Sequence, residues 1–169
     1  MRAGGSPGRR VDGSPDRRVV PSAGREAGRE AGGRRARGPS TTLRGVDDVA
    51  RSLLRAWWDQ VWHAGDLDAV DELCTDPFVR HTSAGSETIS RATYKAKLVA
   101  SQRLLYRPTT TIDDEVVAGD RIWARSTSEG LNLDTERVTT ITWLTVHRVE
   151  DGRFAEAWIA ALTGVRWDH

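Results

Sequence analysis

Cysteine is almost absent from this 169-residue chain: Cys74 stands alone. A lone cysteine excludes an internal disulfide and a thiolate metal cluster, and it fits a reducing, cytoplasmic setting. No apolar run approaches the roughly 20 residues that a bilayer-crossing helix needs, so no membrane span is expected. The pairs Arg9-Arg10 and Arg17-Arg18 are not followed by the apolar stretch of a secretory or twin-arginine signal. Also missing are clustered His and Cys at metal-ligand spacing, a glycine-rich phosphate loop after a strand, and a Gly-x-Ser-x-Gly elbow. No metal and no cofactor are therefore expected, and any chemistry falls to acid–base side chains.

Bulky apolar side chains are scarce in residues 1–45. That segment holds 11 Arg against 4 acidic residues, with 10 of the 16 glycines and 4 of the 6 prolines. It cannot bury enough surface to offset its chain entropy, so it is expected to be a disordered extension ahead of one domain, 46–169. An Arg-rich arm could hold phosphates. These arginines, however, are scattered among glycines without the aromatic side chains that single-strand binders stack on bases. A solvated extension is the preferred reading, and no nucleic-acid partner is expected. The remainder reverses sign, with 14 basic and 20 acidic residues, and carries all seven tryptophans.

Val46, Val49, Leu53, Leu54, Trp57, Trp58, Val61 and Trp62 recur at three- and four-residue spacing, which predicts an amphipathic helix from Val46 to Ala64 ended by Gly65. Asp47 and Asp48 fall in its predicted first turn. Asp66 can cap a short second helix with Leu67, Val70, Leu73 and Cys74 on its apolar face, stopped by Pro77. Cys74 there reads as a core residue and not a nucleophile. A short strand, Phe78 to Thr82, a Ser/Gly loop at 83–90 and a helix from Arg91 to Leu105 capped by Ser90 follow. Beyond Pro108 the pattern turns to strands: 109–117, 120–129, 137–149 and 153–162. Helices first and antiparallel strands last predict an α+β domain with helices on one face of a curved sheet.

The last two strands meet at Asp151-Gly152, a dipeptide that favours a two-residue hairpin turn. Alternation then places Ile141, Trp143, Thr145 and His147 on one face, and Phe154, Glu156 and Trp158 together on the return strand. The run His147-Arg148-x-x-Asp151-Gly152-Arg153-Phe154-x-Glu156-x-Trp158 resembles the C-terminal hairpin of SnoaL-like polyketide cyclases, within the nuclear-transport-factor-two-like superfamily. The segment Trp58 to Val70, followed by Phe78-Val79-Arg80-His81, occurs in the order that family uses. The resemblance implies a cone-shaped fold enclosing a pocket, a small apolar or polycyclic ligand, and homodimerisation through the outer sheet face.

It also exposes a departure. Those cyclases commonly carry aspartates just after the Glu-x-Trp tryptophan and about four residues on, the latter removing a proton from carbon. This chain has Ile159 and Ala161 or Leu162 there. The candidates that remain are His81, His147 and Tyr94 for acid–base work, since histidine exchanges protons near neutrality. His81 stands about where the related ketosteroid isomerases place a catalytic aspartate facing the pocket. The resemblance makes His147 a pocket-lining residue. Trp57, Trp58, Trp62, Trp123, Trp143, Glu156 and Trp158 are the candidate ligand wall, although core packing would account for the same tryptophans and an ion pair with Arg125, Arg148 or Arg166 for Glu156. Whether the domain is an enzyme or a binding or dimerisation module that has lost its base is left open by the sequence.

Overall fold

The aromatic stripe of the first helix sets where the sheet can pack. The computed structural model describes residues 41–167; the expected extension up to residue 40, and His169, lie outside them. Helix α1 spans Thr41–Ala56 and starts ahead of the expected Val46, so Asp47 and Asp48 lie beyond its first turn. It buries Ala50, Leu53 and Leu54. The chain then continues as a π-helical stretch, Trp57–Ala64, which spacing alone did not reveal. Its wider turn frees backbone carbonyls from the usual pattern, and Gln102 donates to the Val61 carbonyl at 2.7 Å. Trp57, Trp58, Val61 and Trp62 are all buried on its inner side, and Gly65, at φ 75°, closes it by donating to Gln60 O.

The Asp66 carboxylate accepts from the N–H groups of Asp68 at 2.9 Å and Ala69 at 3.4 Å in the turn that leads into α2, Ala69–Leu73, but the N-cap position falls on Asp68, whose own side chain caps nothing, and not on the expected Asp66. That helix ends before Pro77, because strand β1, Cys74–Thr82, already begins at Cys74. The Cys74 thiol is fully buried, and burial pushes its pKa up to about 12, as suits a packing residue. The expected loop at 83–90 is instead mostly strand β2, Gly85–Ile89, paired with β1 from Phe78 opposite Ile89 to Thr82 opposite Gly85. Helix α3, Arg91–Leu104, follows, with the Ser90 hydroxyl accepting from Thr93 N–H at 3.2 Å as expected.

Four long strands complete the domain: β3, Tyr106–Ala118; β4, Arg121–Asn132; β5, Arg137–Glu150; β6, Arg153–Thr163. The sheet order is β2-β1-β6-β5-β4-β3, antiparallel except where β1 joins β6 in parallel. This is the α+β architecture that the element order predicts. Inner-face residues Ile122, Ala124, Ile141, Phe154 and Ala157 join the helices' apolar stripes in one core.

Asp151 at φ 49° and Gly152 at φ 73° form the tight turn that brings Glu150 opposite Arg153. No heavy atom lies within 4 Å of a Cβ built on Gly152. Gly152→Ala therefore meets conformational strain and no clash, and is expected to cost about 1 kcal/mol, read as a lower urea midpoint with unchanged m-value; an unchanged midpoint would show that the turn tolerates a side chain.

The hairpin departs from simple alternation just past this turn. Arg148 faces Glu156 while Val149 faces Phe154, so Ala155 is an extra residue, a β-bulge. The bulge puts Phe154 on the inner face with His147 but turns Glu156 and Trp158 to the outer face. The expectation that these three share a face is therefore corrected.

Candidate functional site

Inside the cone, a cavity of about 70 Å³ is bounded by the π-helical stretch, α3 and the inner face of the sheet. Trp57, Trp58 and Trp62 come from the helix, Tyr94 and Leu98 from α3, Arg80 from β1, and Trp143, Thr145 and His147 from β5. Aromatic packing builds the walls. Trp58, Trp62 and Trp143 form a triangle with centroids 5.5–6.1 Å apart, and Tyr94 is sandwiched between Trp57 at 5.7 Å and Phe78 at 4.8 Å. Trp143 donates to Ser128 Oγ at 3.0 Å, which fixes its ring.

The polar content of this cavity is unusual for a core. Trp58 Nε1, Trp62 Nε1, Arg80 Nε, Thr145 Oγ1 and His147 Nδ1 are all buried without a hydrogen-bond partner among the described residues, and all five side chains border the cavity. His147 is 4% exposed and stacks on Phe154 at 4.4 Å. Burial disfavours its cation and lowers its pKa to about 4, so the ring is in its neutral, base form at physiological pH. Burial also pushes the Tyr94 hydroxyl well above the usual tyrosine range, so it stays protonated, able to donate or accept a hydrogen bond but not to give up its proton. The Arg80 guanidinium lies 5.5 Å from the centroid of the Tyr94 ring.

His81 does not join this group. It pairs with Trp158 across the β1–β6 junction and shares the outer face, where the rings stack at 4.7 Å. A carboxylate can only accept, so His81 Nε2 donates to Glu156 Oε1 at 2.9 Å; Nδ1 lies 2.6 Å from Ser86 Oγ. Glu156 also accepts from Arg148 Nε at 3.0 Å, which selects one of its three expected ion-pair partners. The hydrogen bond from His81, followed by Arg148, holds the Glu156 carboxyl below its usual range. Trp123 is also on the outer face and 53% exposed. His81, Trp123, Glu156 and Trp158, expected to face the cone, thus lie on the outer face and do not border the inner cavity. His63 is exposed, with Nδ1 3.1 Å from the Pro108 carbonyl.

The site residue that the sequence reading missed is Arg80, with Thr145 beside it. The signal was present in β1: side chains alternate, so the residue sharing a face with the core residue Phe78 is Arg80, two positions on, and not His81. β1 pairs with β6 only as far as Trp158. A larger open cleft of about 1050 Å³ lies there, lined from the cone side by Trp62, Ser101, Leu105 and Trp143 and from the outer side by His81, Trp123 and Trp158. Trp62, Arg80, Ser101, Trp143, Thr145 and Ile159 border both spaces, which makes the cleft the mouth of the cone. The departure in β6 is now placed: Ile159 and Ala161 pair with Thr145 and Trp143 on the inner face, whereas Leu162 lies on the outer one.

No group of three or more metal-competent side chains occurs among the described residues, and no described helix is long and apolar enough to cross a membrane. A search of curated proteins by sequence returned no match. Among solved structures, wild-type IdmH from Streptomyces antibioticus, a candidate polyketide cyclase, is similar at 24% identity and TM-score 0.57, over 66% of this chain and 91% of that one. A candidate polyketide cyclase from Acidithiobacillus ferrooxidans is similar at 16% identity and TM-score 0.61, over 67% and 87% of the two chains. A protein of ketosteroid isomerase-like fold from Catenulispora acidiphila, solved with trimethylamine, is similar at 14% identity and TM-score 0.55, over 64% and 83%. These likenesses establish the fold, a mixed α+β cone. The sequence profile of the SnoaL-like domain matches residues 54–157, more than half of the chain, and the protein belongs to the SnoaL-like domain family.

Proposed function

We propose that the cone binds a small, largely apolar molecule bearing a carbonyl oxygen, and that His147 moves a proton on it in a cofactor-free isomerisation, cyclisation or dehydration. The observation that carries this reading is the set of five unpartnered buried polar atoms around one cavity. Each buried group left unpaired costs roughly 1–3 kcal/mol, a burden that folding alone gives no reason to keep and that a ligand's oxygen would relieve. The relatives described as polyketide cyclase candidates support the same class of chemistry.

In this reading the neutral His147 ring accepts a proton from carbon next to the carbonyl. The C–H electron pair moves into a carbon–carbon double bond, and the carbonyl π pair moves onto oxygen. The indole N–H groups of Trp58 and Trp62 then face developing negative charge in a water-poor site, where such dipoles are most effective. Protonation elsewhere gives an isomer, attack of the carbanion a ring, and loss of a β-hydroxyl a dehydrated product. The test is deuterium wash-in at the α-carbon of cyclohexanone and of levulinate, followed by NMR in heavy water. Wild-type protein should accelerate exchange, and His147→Gln should not.

A second reading, a binding module without chemistry, is favoured by Ile159 and Ala161 on the inner face. Saturable tryptophan quenching with no wash-in for any ketone would select it. The outer face, where Val116 is 61% and Trp123 53% exposed, suits a homodimer in either case. Light scattering should report twice the chain mass, and Trp123→Glu should halve it; a monomeric wild type would remove this part of the proposal.

A further inference from the structure

We infer that the molecule held in the cone carries a carboxylate, seated against Arg80 at the inner end, with its apolar body extending into the cleft at the mouth. The inference rests on the cone being the ligand site. It goes beyond that reading in naming the group recognised.

Charge is the first argument. Among the described residues the inner cavity is bordered by Arg80 and Lys97 and by no aspartate or glutamate. The two cations share a single carboxylate, Glu87, whose oxygens lie 3.4 Å from Arg80 Nη1 and 3.2 Å from Lys97 Nζ. Glu87 sits on the edge strand β2 with 36% of its side chain exposed, and it does not border the cavity. Two positive charges against one negative leave the rim with a net positive charge that a ligand anion would balance.

The second argument is the donor count. Among the described residues Arg80 Nε, Trp58 Nε1 and Trp62 Nε1 can only donate and each lacks a partner, against two unpartnered atoms able to accept, Thr145 Oγ1 and His147 Nδ1; with the indoles turned to the carbonyl oxygen, the guanidinium is left for the acid group. A neutral hydroxyl or amide would bring hydrogens of its own into a site that already has donors to spare. A carboxylate brings only lone pairs, about four of them, and its hydrogen bonds to guanidinium are roughly twice as strong as neutral ones.

Size is the third. The inner cavity, about 70 Å³, is about half of the ~150 Å³ apolar cavity that admits benzene. A fused ring does not fit there, but a three-atom carboxylate does. Any larger apolar body belongs in the cleft of about 1050 Å³, which shares Trp62, Trp143 and Ile159 with the inner cavity.

The test titrates the full chain with levulinate and with levulinamide, its neutral isostere, following tryptophan fluorescence. Levulinate should bind at least tenfold more tightly than the amide, in line with a charge-assisted pair, and less tightly as salt is raised. Arg80→Gln should bring the acid down to the amide's affinity. Equal affinities in the wild type, no saturation by the acid, or an acid preference that survives in a folded Arg80→Gln protein would each overturn the inference. The acid–amide comparison decides without any variant should Arg80→Gln fail to fold. Acid preference without deuterium wash-in would sink the proposed chemistry and keep the carboxylate site; wash-in on both ligands at equal affinity would do the reverse.

Discussion

Glutamine in place of His147 is expected to lower catalysed deuterium wash-in by about 10²–10⁴-fold, the usual worth of a positioned general base, while leaving the protein folded. The change removes the only histidine among the described residues that borders the inner cavity and keeps a polar side chain of similar reach against Phe154. Burial lowers the pKa of His147 to about 4, so the base form is present throughout the neutral range. The rate in wild-type protein should accordingly be flat from about pH 6 to 9 and fall only as the pH nears 4. An unchanged rate in a folded His147→Gln protein would remove His147 from the mechanism.

The same residue links pH to stability. Its folded pKa lies below the ordinary value of 6.5, so between about pH 6.5 and 4 the unfolded chain takes up a proton that the folded chain refuses. Stability attributable to His147 is therefore fully present above about pH 6.5 and is lost as the pH falls towards 4, by up to about 3 kcal/mol from the size of this shift. The Glu156 carboxyl is also held low, and its share is lost only below its unfolded value of 4.5, so the two windows largely separate. Urea unfolding at a series of pH values should show the upper slope in wild type and not in His147→Gln. Equal slopes would trace the acid sensitivity to another group.

How far the sequence foretold this site depends on which structural rule governs each residue. The helical stripe, the cap at Ser90 and the Asp151-Gly152 turn follow local rules, and each holds within a few residues. Faces of strands do not follow local rules alone. His147, Thr145 and Trp143 alternate without interruption up to the turn and land together on the inner face. Across the turn the bulge at Ala155 inverts Glu156 and Trp158, and nothing in Phe154-Ala155-Glu156 announces an extra residue. The β1 error is different in kind, because Phe78 already fixed the inward parity and therefore pointed to Arg80. His81 has the chemistry of a base, and only the analogy with the isomerases' aspartate implies the inner face for it. Its contacts with Glu156 and Ser86 give it a structural role on the outer face instead.

Removing the ring of Trp58 separates what the tryptophans do for the fold from what they do for the ligand. Trp58 is 4% exposed and packs against Trp62 at 6.1 Å and Trp143 at 5.7 Å. Trp58→Ala should leave a large cavity beneath the sheet and cost about 3–5 kcal/mol, which for a domain of this size lowers Tm by roughly 10–20 °C. Trp58→Phe keeps most of the packing and deletes Nε1–H, a donor without a partner in the fold. Its loss removes no protein hydrogen bond, so stability should change by less than about 1.5 kcal/mol. If that N–H serves the ligand's oxygen, Trp58→Phe should still weaken levulinate binding several-fold while the melting curve barely moves. A phenylalanine variant that binds as tightly as wild type would make Trp58 a packing residue alone, and leave recognition to Arg80 and Trp62.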